Sequence, residues 1–172
     1  MRRLLSFCLF LLVLTGVPDA RAQQIDRVEI VEWGIFKDER TSVEPAPLAV
    51  TGTTNLVANV RLQQATTTIP ALVEMKFGFQ YRVVGSPSGT PVRLKCVVRL
   101  PNPGVTNPYK GKTFSSSEFH TNAVIGAIAY VGYGFDYDWE VVPGPWTLEL
   151  WHEGRKLAEK TFIVTRLVSS AE

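Results

Sequence analysis

The chain reads as an all-β protein, an antiparallel sandwich of about seven or eight strands. Three observations predict it. Several segments alternate apolar and polar residues with a period of two, the mark of half-buried strands. No segment beyond residue 22 sustains a helical period. Glycine- and proline-rich joints separate the alternating runs, and that many short strands suit two packed sheets.

Ile25 to Phe36 is the first expected strand, with Gly34 near its end. Pro45, Pro47 and Gly52 punctuate a long first connection. Leu56, Ala58, Val60 and Leu62 then alternate with Val57, Asn59, Arg61 and Gln63. The pattern is clearest from Met75 to Val83, where Met75, Phe77, Phe79, Tyr81 and Val83 share one face. Val92, Leu94, Cys96, Val98 and Leu100 repeat it against Arg93, Lys95, Val97 and Arg99. Gly85-Ser86-Pro87-Ser88-Gly89 between these two strands reads as a hairpin loop. Residues 101–122 open on Pro101-Asn102-Pro103-Gly104 and read as a long loop, a common place for function. Trp146, Leu148 and Leu150 then share a face, His152 to Arg155 turns the chain, and Phe162 and Val164 point inward on the return. Leu157 and Phe162 differ in parity, so a bulge is expected between them.

The first 22 residues set the compartment. A basic Met1-Arg2-Arg3 start, an apolar run from Leu4 to Val17, a break at Pro18 and the small residues of Ala20-Arg21-Ala22 make a secretory signal peptide cut before Gln23. The run is shorter than the about 20 residues that span a bilayer, so an exported protein without a membrane span is expected, periplasmic or extracellular. The domains are then the leader, 1–22, and a single β-sandwich, 23–172. The leader takes three arginines and one aspartate from 18 basic and 16 acidic residues, leaving 15 of each. An exported chain without net charge gives no electrostatic argument for nucleic-acid binding. Cys8 leaves with the leader, so Cys96 stands alone on an apolar face and reads as a buried, inert thiol.

The Pro-Gly-x-Trp-x-Leu-x-Leu pattern from Pro143, with the return to Val164, looks like the closing hairpin of bacterial exported immunoglobulin-like sandwiches. Val28 to Ile35, Thr67 to Ala71, Phe77 to Tyr81 and Gly132 to Phe135 resemble a bacterial secreted family of unknown function with such a domain. The resemblance spans most of residues 25–165. It implies an immunoglobulin-like fold and an envelope setting, and it carries over no catalytic residue.

Chemistry is sparse. The two histidines, His120 and His152, lie in no zinc-ligand spacing. Ser115-Ser116-Ser117-Glu118-Phe119-His120 holds the residue types of a serine triad without a Gly-x-Ser-x-Gly elbow. The chain therefore reads as a non-enzyme without cofactor or metal. In Gly132 to Glu140 an extended chain puts Tyr133, Phe135, Tyr137 and Trp139 on one face and Asp136, Asp138 and Glu140 on the other. Carboxylates two residues apart lie about 7 Å from one another, too far to share one calcium without a bend. The segment reads as a core strand with a solvated acidic face, or as an aromatic platform for a ligand. With Tyr109 and Phe114 of the long loop, its four aromatics form the candidate surface for an envelope protein or, alternatively, a glycan. Lys76 and Arg82 of one strand, with Arg93, Lys95 and Arg99 of its expected hairpin partner, form a candidate basic face.

Overall fold

The computed structural model describes residues 23–166; the expected leader and the last six residues lie outside them. Eleven strands run in the order β1 (Gln24–Pro45), β2 (Thr53–Gln64), β3 (Thr68–Pro70), β4 (Lys76–Ser86), β5 (Pro91–Arg99), β6 (Val105–Asn107), β7 (Lys112–Phe114), β8 (Ser116–Val124), β9 (Ile128–Gly134), β10 (Gly144–His152) and β11 (Arg155–Thr165). A single 3-10 turn, Asp138–Glu140, precedes β10. The larger sheets have the orders β2-β1-β4-β9 and β3-β11-β10-β5-β8, and β6 and β7 form a small ribbon. The strand count exceeds the expected seven or eight by three strands of three residues each, too short to show a period.

The sheets close on one apolar layer. Phe77, Phe79, Tyr81 and Val83 of β4 face Leu94, Cys96 and Val98 of β5, and Trp146, Leu148, Leu150 and Phe162 complete the layer, all without solvent exposure. Cys96 sits at its centre, and burial pushes its thiol pKa far above the ordinary value. The closing hairpin matches the sequence. Leu150 opposes Ala158 but Trp151 opposes Lys156, which leaves Leu157 as the bulged residue.

The Gly85–Gly89 segment is not a hairpin loop. β4 pairs with β1 and β9, whereas β5 pairs with β10 and β8, so the segment arches from one sheet to the other. Hairpin and arch take the same turn residues, but an arch makes the two apolar faces meet across the core. This splits the candidate basic face. Lys76 and Arg82 belong to one sheet and Arg93, Lys95 and Arg99 to the other. Lys76 is bonded to Asp38, and Arg99 to Glu149.

β1 runs nine residues past its expected end. Its first half pairs with β4; its second half leaves that strand behind and pairs with β2, through three register shifts. The two form a hairpin arm, residues 36–64, and the expected first connection is only its tip. Those shifts spoil the β2 alternation, and Leu56, expected on a half-buried face, is exposed.

Beside the root of the arm, three glycines stand abreast across three strands. Gly34 opposes Gly78, and Gly78 opposes Gly132. A Cβ on Gly78 would lie 2.2 Å from the Val131 carbonyl oxygen, and neither backbone can yield. Gly78→Ala is expected to cost about 2–3 kcal/mol, lowering the melting temperature by roughly 5–10 °C. At Gly134 the nearest atom is the flexible Lys76 Cγ at 3.3 Å, so Gly134→Ala is expected to melt within a degree or two of the parent. Thermal unfolding followed by circular dichroism checks the contrast.

Candidate binding cleft

β8 and β9 are the last strands of their sheets on the same side of the sandwich, joined by the turn at 125–127. The opposite margin is closed by side chains. Lys160 Nζ stands 3.6 Å from the Trp33 ring centre, and the Arg155 guanidinium donates to the carbonyls of Ile25 and Asp26. On the β8–β9 side the arm lies across the gap instead. It encloses a cleft of about 750 Å³ lined by β8, β9 and the inner side of the arm. That volume is in the range of ligand sites.

The arm is fastened at its tip and along its length. The Glu118 N–H donates to the Leu48 carbonyl (3.1 Å), the Val50 N–H to Ser117 Oγ (3.1 Å), and Asn107 Nδ2 to the Val50 carbonyl (2.9 Å). Further along, Arg40 and Asn55 hold the two oxygens of Asp136 at 2.5 and 3.2 Å. Phe36 packs on Tyr130 with ring centres 4.9 Å apart.

Lining residues are consecutive on both strands, Phe119 to Val124 on β8 and Ile128 to Gly134 on β9. A strand seen face-on shows alternate residues; consecutive ones mean that its edge is presented. The parity of β8 follows from three bonds. Ser115 accepts from Leu100, and Ile125 donates to Thr90, so the odd residues bond toward β5. The even residues point away, as the bond from Glu118 to the arm shows. The next two, His120 and Asn122, direct their N–H and C=O groups outward and bond to no other backbone group among the described residues.

The long loop expected over residues 101–122 is therefore largely strand. β6 and β7 make a small hairpin, and β8 pairs with β5 along its length. The inward positions of β8 include Ser117 and Thr121, polar enough to hide its period. Ser117 is buried as the acceptor for the arm, while His120 sits on the other face beside Lys95. Burial and the charges of Arg93 and Lys95 hold the His120 pKa below the ordinary imidazole value, despite the pull of Glu118.

The aromatic face expected from Tyr133 to Trp139 does not exist as one surface. β9 ends at Gly134 and the chain turns, because Glu140 folds back under it. The Glu140 carboxylate is buried and accepts from the Tyr133 hydroxyl (2.6 Å) and from the N–H groups of Asp136 (2.9 Å) and Tyr137 (3.0 Å). Burial raises its pKa against the opposing pull of those bonds. Phe135 is fully buried, and Tyr133 packs 4.9 Å from the Trp146 ring. Tyr137 stacks on Trp139 at 5.4 Å with 10° between planes, Trp139 being itself partly buried against the core, and Tyr109 meets Tyr137 edge-on at 6.5 Å. Tyr109 is 82% exposed and Tyr137 46%. Phe114 is elsewhere, under the ammonium groups of Lys110 and Lys112 and beside a smaller hollow of about 240 Å³ with Pro47 and Leu48. The acidic face dissolves likewise. Asp136 is tied to the arm and Glu140 is internal, and no cluster of three metal-ligating residues occurs among the described residues.

Residues 24–164 match the family described as "Domain of unknown function (DUF3859)". The chain belongs to this family. The DUF3859 domain is also similar to a solved immunoglobulin-like protein from Pseudomonas aeruginosa. The two are 28% identical with a TM-score of 0.57, over 81% of this chain and 98% of that one. The expected immunoglobulin-like sandwich and the resemblance to a family of unknown function both hold. A search of curated proteins gave no match. No helix among the described residues of the DUF3859 domain is long and apolar enough to cross a membrane.

Proposed function

We propose that this protein is an exported, non-enzymatic module that binds an extended segment of another cell-envelope protein, taken up as an added strand along β8. The observation that carries the reading is the outward backbone of His120 and Asn122, opening into the cleft next to a position where the arm already bonds to the same edge. Strand addition draws its affinity from such unpaired backbone groups and its specificity from the side chains on either side. The leader supports export. A sandwich by itself licenses no function, so the reading rests on this edge.

Asn122→Pro tests it. Proline there removes an N–H that β5 does not use, and edge strands accept it. Envelope extract is passed over the parent and the variant, and amide exchange is followed in any complex. A protein held by the parent, lost by the variant and protecting the amides of His120 and Asn122 is the expected result. Equal capture by both proteins would overturn the reading.

A second reading has its own observation. The stacked Tyr137–Trp139 pair with exposed Tyr109 is a platform of the kind sugars use. Retention on envelope polysaccharide that Tyr137→Ala abolishes and Asn122→Pro leaves intact would favour it.

A further inference from the structure

We propose that the segment received by β8 is an amphipathic strand with acidic side chains at alternate positions and apolar ones between. This rests on the strand-addition reading and names the chemistry of its partner.

A strand paired with β8 places alternate side chains on the two faces of the sheet. On the outer face it would meet His120 and Asn122, and behind them their β5 partners Lys95 and Arg93. Arg93 forms no ion pair among the described residues. Lys95 has Glu118 at 3.5 Å, and both basic side chains are exposed. Long side chains reach across one intervening strand, so carboxylates on the added strand come within range of Arg93 and Lys95. Elsewhere the cleft pairs Lys76 with Asp38 and Arg40 with Asp136, and its remaining carboxyl group, Glu140, is turned inward under three hydrogen bonds. The surplus on this stretch of the rim is positive. On the inner face its side chains would lie beside Phe119, Thr121 and Ala123, with Ala129 and Val131 of β9 opposite, which suits apolar residues.

Three synthetic decapeptides test the proposal. Valine and threonine occupy the odd positions, and glutamate, serine or lysine fills the even ones. Binding is measured by fluorescence anisotropy at low salt, with amide exchange to locate the contact. The glutamate peptide is expected to bind at least tenfold more tightly than the serine peptide and the lysine peptide more weakly than either. Added salt should shrink the differences. Arg93→Gln/Lys95→Gln should erase the preference, and Arg93→Glu/Lys95→Glu should invert it.

Equal binding of the glutamate and serine peptides, with His120 and Asn122 protected, would overturn the acidic preference and leave strand addition standing. Undiminished binding of the glutamate peptide to Asn122→Pro would detach the charge effect from the edge and overturn the proposal. Failure of every peptide to protect His120 and Asn122 would remove the strand-addition reading itself.

Discussion

Trp146→Ala is expected to cost about 3–5 kcal/mol, the range for emptying an indole-sized volume from a packed core. Trp146 has no solvent exposure and touches rings from two other strands and from the turn after β9. Ring centres lie 6.1 Å away at Phe77, 4.9 Å at Tyr133 and 5.2 Å at Phe135. Its indole N–H donates to the Val142 carbonyl at 2.9 Å, so alanine also leaves that acceptor without its donor. A domain of this size has about 5–15 kcal/mol in total. The variant should therefore unfold at a much lower urea concentration with an unchanged slope. Trp146→Phe keeps most of the volume and should lose less than half as much. A midpoint for Trp146→Ala close to the parent's would mean that neighbouring rings collapse into the space.

Glu140→Ala should cost roughly 3–4 kcal/mol, since one buried carboxyl group serves three donors and its removal leaves them without an acceptor. The loss should concentrate in the turn after β9, and near-ultraviolet circular dichroism of the Tyr133–Trp146 pair should fall with it. Because Tyr133 touches both Glu140 and Trp146, the double variant should cost less than the sum of the singles, by about 1 kcal/mol. Acidity supplies a separate check. Burial penalises the ionised carboxylate in the folded chain and not in the unfolded one, so the folded chain holds the proton more tightly. The stability that comes from holding this proton is full below the ordinary glutamate range and is lost as pH rises through the raised folded value. The unfolding free energy of the parent minus that of Glu140→Gln should thus be larger at about pH 4 than at pH 7. A difference that grows with pH would show the three hydrogen bonds to outweigh burial.

The sandwich core was legible because its strands bury one face and expose the other. Met75 to Val83, Val92 to Leu100 and the β10–β11 hairpin all read correctly, down to the bulge at Leu157. That β4 and β5 lie in different sheets was not legible, since the turn at Gly85–Gly89 serves a hairpin and an arch equally. The cleft was the hardest part. Its edge strand carries Ser117 and Thr121 on the inward face, so the contrast that reveals a strand is weak there. The arm hides for a different reason: bulges change the face at Phe36, Lys37 and Arg40, and no single period describes it. Of the candidate aromatics, Tyr109, Tyr137 and Trp139 come together. Phe135 is core, Tyr133 and Trp139 are partly buried against it, and Phe114 stands apart. One signal was available in advance: a glutamate three residues after Tyr137 suits a chain that folds back on itself as well as a solvated face.

The central position of Cys96 has a practical side. From Gln23 onward it is the single cysteine, and it is both enclosed and far from ionising at neutral pH. Thiol reagents act on the thiolate, so the folded domain from Gln23 onward offers them no target. A cysteine placed at Leu48, exposed at the tip of the arm, is then the one group that a spin label or fluorophore can find. Without its first 22 residues the chain already has the background that site-specific labelling of the arm requires.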